Sequence, residues 1–102
     1  MAKPFVIEFT EEALEHLAGL RATDRAKLFD SDEENLKYEP MIVTKNRKSL
    51  RPNDLAPFEL RVGKYRVYYK VLDDAEGRGV VIVAIGLKIA SRVFIAGEEI
   101  EL

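Results

Sequence analysis

The sequence predicts an α+β domain, with an N-terminal strand and a helical hairpin packed on an antiparallel β-sheet meander. Three observations carry this. Residues 5–9 have a short strand pattern, Phe5, Ile7 and Phe9 alternating with Val6 and Glu8; two stretches between residues 10 and 38 place apolar residues at helical spacing; and residues 58–95 read as strands between Gly- and Asp-containing turns. At 102 residues the chain fits one domain spanning residues 1–102, so one site is sought rather than a site between domains.

Phe5, Ile7 and Phe9 alternate with Val6 and Glu8, a short strand that stops at Thr10, a residue suited to cap the helix that follows. Glu11, Glu12 and Glu15 then complement the positive end of the helix dipole, and Leu14, Leu17 and Ala18 form its buried face. That helix is expected to end near residues 19–21. Thr23 or Asp24 begins a second helix toward Tyr38, with Leu28, Phe29 and Leu36 inward and Pro40 beyond its end. Asp30, Ser31 and Asp32 interrupt its apolar face, and Ser31 with Glu34 has capping-box spacing, so a kink or two short helices are expected as readily as one.

A short strand is expected at residues 41–44, followed by a basic loop punctuated by Pro52, Asn53, Asp54 and Pro57. Residues 58–62 and 65–72 alternate around Gly63 and Lys64, which is the pattern of a hairpin with a two-residue turn. Residues 73–79 form a second turn. Residues 80–85 are apolar throughout, as a strand covered on both faces requires. A strand at 93–95, a turn at 96–99 and a brief edge strand at 100–102 complete the meander.

Composition excludes several kinds of chemistry. There is no cysteine, which removes disulfides, thiolate metal sites and cysteine nucleophiles, and one histidine cannot build a multi-histidine metal centre within the chain. No apolar run approaches the roughly 18 residues of a membrane span, and residues 1–9 lack the basic start and apolar core of a signal peptide. The expected compartment is the cytoplasm.

The net charge of −2 conceals an uneven distribution. Residues 1–40 hold 5 Lys/Arg against 10 Asp/Glu, and residues 72–102 hold 3 against 6, whereas residues 41–71 hold 8 against 2. A basic middle on an acidic chain focuses a polyanion to one place, although a run of charge is also what a solvated face looks like. Strand parity sharpens the expectation, because residues two apart share a face. Tyr65, Val67, Tyr69 and Val71 should face the helices with Leu60 and Val62. Glu59, Arg61, Arg66, Tyr68 and Lys70 should share the other face. Lys88 lies in parity with Ala84 and Gly86, whose small side chains leave room for a ligand or a packed helix.

The run Pro57-Phe-Glu-Leu-Arg-Val-Gly-Lys-Tyr-Arg-Val-Tyr-Tyr-Lys-Val71, followed by an acidic turn and Val80-Val-Ile-Val-Ala-Ile-Gly86, resembles the hairpin and central strand of the RelE/ParE toxin superfamily. The two helices fit that family's helical hairpin, and Lys45-Asn-Arg-Lys-Ser-Leu-Arg-Pro52 resembles its basic connection. The resemblance implies the toxin of a type II toxin–antitoxin system, a ribosome-dependent mRNA endonuclease that inhibits translation. This mRNA interferase chemistry needs no metal or other cofactor: a ribose 2′-hydroxyl attacks the adjacent phosphate, which calls for cations, a base and an acid. The implied partners are a cognate antitoxin, the ribosome and mRNA, with no membrane; a homodimer stays open.

On this resemblance Arg66 stands at the family's catalytic hairpin arginine and Lys88 near a second cationic position. Glu59 is the candidate base and Tyr68 the candidate hydroxyl, while Lys45, Arg47, Lys48, Arg51, Arg61, Lys64 and Lys70 form the RNA-binding set. The chain departs from the pattern at Pro57 and Glu59, where lysines are expected, and at Phe94, where a tyrosine is. A phenyl ring transfers no proton. His16 is expected to be a solvated helix residue, and the acidic tail Glu98-Glu99-Ile-Glu101 replaces the basic ends of active members. These departures motivate an alternative: a non-nucleolytic superfamily member, either a gyrase-directed toxin like ParE or an inert protein or nucleic-acid binding module.

Overall fold

The computed structural model describes residues 3–102; Met1 and Ala2, with the first part of the 1–9 reading, lie outside the described residues. The elements run β1 (Val6–Phe9), α1 (Glu11–Ala18), α2 (Ala22–Leu36), β2 (Arg47–Ser49), β3 (Phe58–Val62), β4 (Tyr65–Asp74), β5 (Gly77–Ile89), β6 (Arg92–Ile95) and β7 (Glu98–Ile100). One sheet has the order β2-β3-β4-β5-β6-β7, antiparallel throughout, and β1 joins it by pairing parallel with β5. The α+β architecture is the predicted one.

The 13-residue β5 organises the sheet. One edge pairs with β4 along its length, from Tyr65↔Leu87 to Asp74↔Gly77. The other edge is divided between β1, opposite residues 79–82, and β6, opposite residues 87–89. Between them, helix α1 supplies the missing partners. The Thr10 backbone N–H donates to the Ile82 carbonyl at 3.0 Å, the Thr10 hydroxyl donates to the Val83 carbonyl at 3.3 Å, and the Ile85 N–H donates to His16 Nδ1 at 3.2 Å. Thr10 also caps α1 as predicted, its Oγ1 accepting from the Ala13 N–H at 3.2 Å.

His16 is therefore a half-buried strand-edge acceptor rather than the solvated residue expected. Its position shows that the buried stripe of α1 is Ala13 and Leu17, while Leu14 is 50% exposed and Ala18 is exposed. The expected stripe was rotated on the helix because the cap residue, which folds back on β5, fixes the helix's rotation.

The second helix is unbroken over 15 residues, the single-helix alternative of the two that the sequence left open. Leu28, Asp32 and Leu36 point inward, whereas Phe29 is 42% exposed and meets Phe9 edge-on, with ring centroids 5.6 Å apart. The helix starts at Ala22 without a side-chain cap; Asp24 instead accepts from the Tyr65 hydroxyl at 2.7 Å, tying the helix to the β3–β4 hairpin. That bond holds the Asp24 carboxyl below its usual range.

No strand forms at residues 41–44, whose Met41, Ile42 and Val43 are exposed; the strand lies at β2, three residues on. Arg47 explains the shift. Its Nε donates to the Ile42 carbonyl at 2.8 Å and its Nη1 to the Asn35 carbonyl at 2.5 Å, stapling this loop to the end of α2. The β3–β4 turn is at Gly63 and Lys64 as predicted, with Gly63 at φ 56°, which a two-residue hairpin turn favours glycine for. The next ribbon runs longer than expected: β4 reaches Asp74 and β5 starts at Gly77, because Asp74 Oδ1 accepts from the Glu76 and Gly77 N–H groups and closes a short turn. The last turn, at Ala96 and Gly97, is likewise tighter than expected, so the edge strand is β7 rather than residues 100–102.

The core between helices and sheet joins Phe5, Leu17, Leu28 and Leu36 to Leu60, Val67, Tyr69, Val80 and Ile82. Tyr69 is fully buried, its hydroxyl donating to the Pro40 carbonyl at 2.6 Å, and burial pushes the phenol up to about 12. Asp32 is the anomaly in this region: it is 2% exposed and neither carboxylate oxygen has a partner. Burial, reinforced by Glu33, raises its carboxyl from 3.8 to about 8. Between those values the folded chain binds a proton that the unfolded chain has released, so stability falls as pH rises through that window. Chemical denaturation should therefore show the protein losing about 1 kcal/mol or more between pH 5 and pH 8 from this group, with the loss reduced in Asp32→Asn.

Candidate functional site

The sheet has a second, smaller apolar cluster on the face turned away from the helices: Ala56, Tyr68 and Ala84, flanked by Leu50, Leu55, Val93, Ile95 and Ile100. Its position follows from parity plus one irregularity. Tyr68 pairs with Ala84, but Tyr69 pairs with Ile82, so Val83 is an extra residue on β5. Val80 and Ile82 face the helices before this bulge and Ile85 does after it. Ala84, Gly86 and Lys88 consequently share the outer face with Tyr68 and Arg66. An unbroken alternation across residues 80–85 does not reveal this switch, because every residue there is apolar.

Two rows of paired residues cross the outer face. Lys48, Glu59, Tyr68 and Ala84 form one; Arg61, Arg66 and Gly86 form the next. The predicted residues Glu59, Arg61, Arg66 and Tyr68 are thus brought together. Glu59 is the hub: its Oε1 accepts from Arg61 Nε at 3.0 Å and lies 3.9 Å from Arg66 Nε, the latter being charge pairing without a hydrogen bond. Arg66 is 8% exposed, and its Nη1 donates to the Gly63 and Tyr65 carbonyls at 2.8 Å each. Its guanidinium is occupied by the turn of its own hairpin. Arg61, with a side chain 48% exposed, presents charge to solvent.

Tyr68 is fully buried, and its hydroxyl makes no hydrogen bond of good geometry. Burial, followed by the charge of Glu59 nearby, holds the phenol well above its usual range. The room expected beside Gly86 is taken by this ring: a Cβ built on Gly86 would lie 2.9 Å from Val93 Cγ1 and 3.1 Å from Tyr68 Cε2. The small residues of β5 make space for packed side chains rather than for a ligand.

The predicted RNA-binding cations divide. Lys48 and Lys70 lie on the outer face, with Lys70 exposed; Lys88, the second cationic candidate for catalysis, is exposed beyond Gly86, its backbone N–H donating to the Lys64 carbonyl at 2.8 Å. Lys45 is exposed in the loop before β2. Arg47 is committed to its two carbonyls, and Lys64 leans over the Tyr65 ring, 5.5 Å from its centroid, on the helix side. Arg51 Nη2 donates to the Leu102 carbonyl at 3.4 Å.

Phe94 pairs with Leu87 and lines a cleft of about 620 Å³ with His16, Leu20, Tyr65 and Ile89. That cleft lies on the helix side, across the sheet from Arg66. On the outer face a cleft of about 530 Å³ has Glu59, Arg61 and Tyr68 on one side and residues 99–102 on the other. The covering by the C-terminal residues went unread in the sequence; its signal was the lone apolar Ile100 among glutamates, which packs on the second cluster. Among the described residues no group of acidic or histidine side chains is arranged to hold a metal, and no helix is long and apolar enough to cross a membrane. Because Gly86 is enclosed, Gly86→Ala should lower stability by about 1–3 kcal/mol through overpacking, measured as an earlier denaturation midpoint; an unchanged midpoint would mean the Tyr68 ring moves freely.

No protein-family model matches the sequence. No curated protein matches it either. Among solved structures, a chain of the toxin–antitoxin complex RelBE2 from Mycobacterium tuberculosis is similar, with 28% identity and a TM-score of 0.68 over 83% of this chain and 99% of that one. Two helices packed on a mainly antiparallel sheet make this chain α+β, consistent with that likeness. The chain has the RelE-like toxin fold that the resemblance of its hairpin to the RelE/ParE superfamily led us to expect.

Proposed function

We propose that this chain is the toxin of a type II toxin–antitoxin pair, held inactive by a cognate antitoxin, and that it inhibits translation in the cytoplasm as a ribosome-dependent mRNA endonuclease. The observation that carries the reading is the agreement of fold with almost the whole length of a chain from a toxin–antitoxin complex. Arg61, Lys48, Lys70 and Lys88 on the face left bare by the helices support it. In this reaction Arg66 and Lys88 would stabilise the phosphate as charge builds on its oxygens, and Glu59 would take the proton of the 2′-hydroxyl. Arg66 must first exchange its two carbonyl acceptors for phosphate oxygens, a swap between hydrogen-bond partners at one guanidinium.

Tyr68, being enclosed, donates its proton only if the outer cleft opens. A specific observation favours a second reading, a non-nucleolytic toxin or binding module. Arg66, Glu59 and Tyr68 are all buried, and Phe94 lines the opposite side of the sheet.

Ribosome-programmed mRNA separates the two. The endonuclease reading expects discrete cleavage that falls about 100-fold or more in Arg66→Ala, the scale of losing one electrostatic stabiliser. Uncut mRNA at high protein concentration, alongside growth arrest on expression, selects the non-nucleolytic reading; arrest with impaired supercoiling points to gyrase. RNA binding driven by the basic face should weaken steeply between low and physiological salt, as each neutralised phosphate releases counterions.

A further inference from the structure

One wall of the outer cleft is built by residues 99–102, which include Glu99 and Glu101. Residues 98–102 hold Glu98, Glu99 and Glu101 around Ile100. Ile100 packs on the second apolar cluster and pairs with Val93, while Glu99 stands 3.7 Å from Arg92 Nε. Arg51 holds the Leu102 carbonyl, and residues 99–102 face Glu59, Arg61 and Tyr68 across the cleft. A second cleft, of about 600 Å³, separates residues 100–102 from the loop at Pro52, Asn53, Asp54 and Leu55, so the segment is flanked by open space rather than packed on both sides.

The attachment is shallow. β7 is three residues long, lies at the edge of the sheet and has one apolar anchor, the half-buried Ile100. Glu99 and, just beyond the strand, Glu101 are exposed and line the same cleft as Arg61. A phosphate chain entering that face meets like charge and a strand in its path.

We propose that residues 98–102 form an intramolecular gate, an acidic strand that walls the outer-face cleft and competes with RNA for its cations. The proposal rests on the outer face being the RNA-binding surface. Binding then requires β7 to peel from β6, which uncovers Tyr68 and frees the space beside Arg61. An edge strand of this length opens at low cost relative to unfolding the sheet.

The test compares the full-length wild type, a tail variant (Glu98→Gln, Glu99→Gln, Glu101→Gln) and a control that removes equal charge from α2 and its end (Asp30→Asn, Glu34→Gln, Glu39→Gln). Affinity for a fluorescent oligouridine is read by anisotropy at low salt, and exchange of the β7 amides is read with and without the RNA. The tail variant is expected to bind about fivefold or more tightly than both other proteins, and RNA is expected to speed β7 exchange in the wild type. Equal affinities of tail variant and control, or β7 protection unchanged by bound RNA, overturn the gate and leave the RNA-binding reading standing. Absence of binding by all three proteins overturns that reading and the gate with it.

Discussion

The arrangement depends on β5 serving three neighbours at once. One edge is committed to β4, while the other is shared by β1 and β6, with Thr10 and His16 of the first helix satisfying the backbone groups left between them. Buried peptide groups tolerate little dissatisfaction, so the gap has to be closed by something other than a strand. Closing it with α1 fixes where that helix lies and which of its residues are buried. The extra residue at Val83 sits in this same gap, and it decides which of the following side chains face the helices and which face outward.

From that constraint the outer face acquires its character. Tyr68 is drawn into a small apolar cluster, and Glu59 is left to balance the two arginines beside it. A carboxylate so placed does two things: it makes burial of the Arg66 guanidinium tolerable, and it reduces the positive potential that an approaching phosphate meets. Cationic character on this face therefore comes from Lys48, Arg61, Lys70 and Lys88 at its margins rather than from its centre. The same face is where the acidic C-terminal residues lie.

Much of this was legible in the sequence because it is local. The β3–β4 hairpin announces itself through alternation around Gly63 and Lys64, and Thr10 through its position before a run of glutamates; both stand where they were expected. Pairing across the hairpin then gathered Glu59, Arg61, Arg66 and Tyr68 on one face. What escaped was set by distant partners. His16 reads as a surface residue until β5 passes beside it, and Arg47 reads as an RNA-binding cation until the carbonyls of Asn35 and Ile42 claim it. Whether Arg66 is free or bound likewise depends on carbonyl directions that no residue pattern encodes.

The central claim is that the outer sheet face, with its marginal cations, is where this protein meets its target. Backbone and arginine side-chain NMR spectra recorded during titration with a single-stranded oligoribonucleotide test it most directly. The account predicts shifts at Lys48, Arg61, Lys70 and Lys88 and in β7, while α1 and α2 stay unmoved. Perturbations gathered on the two helices or around the His16–Phe94 cleft, with the outer face silent, would contradict it.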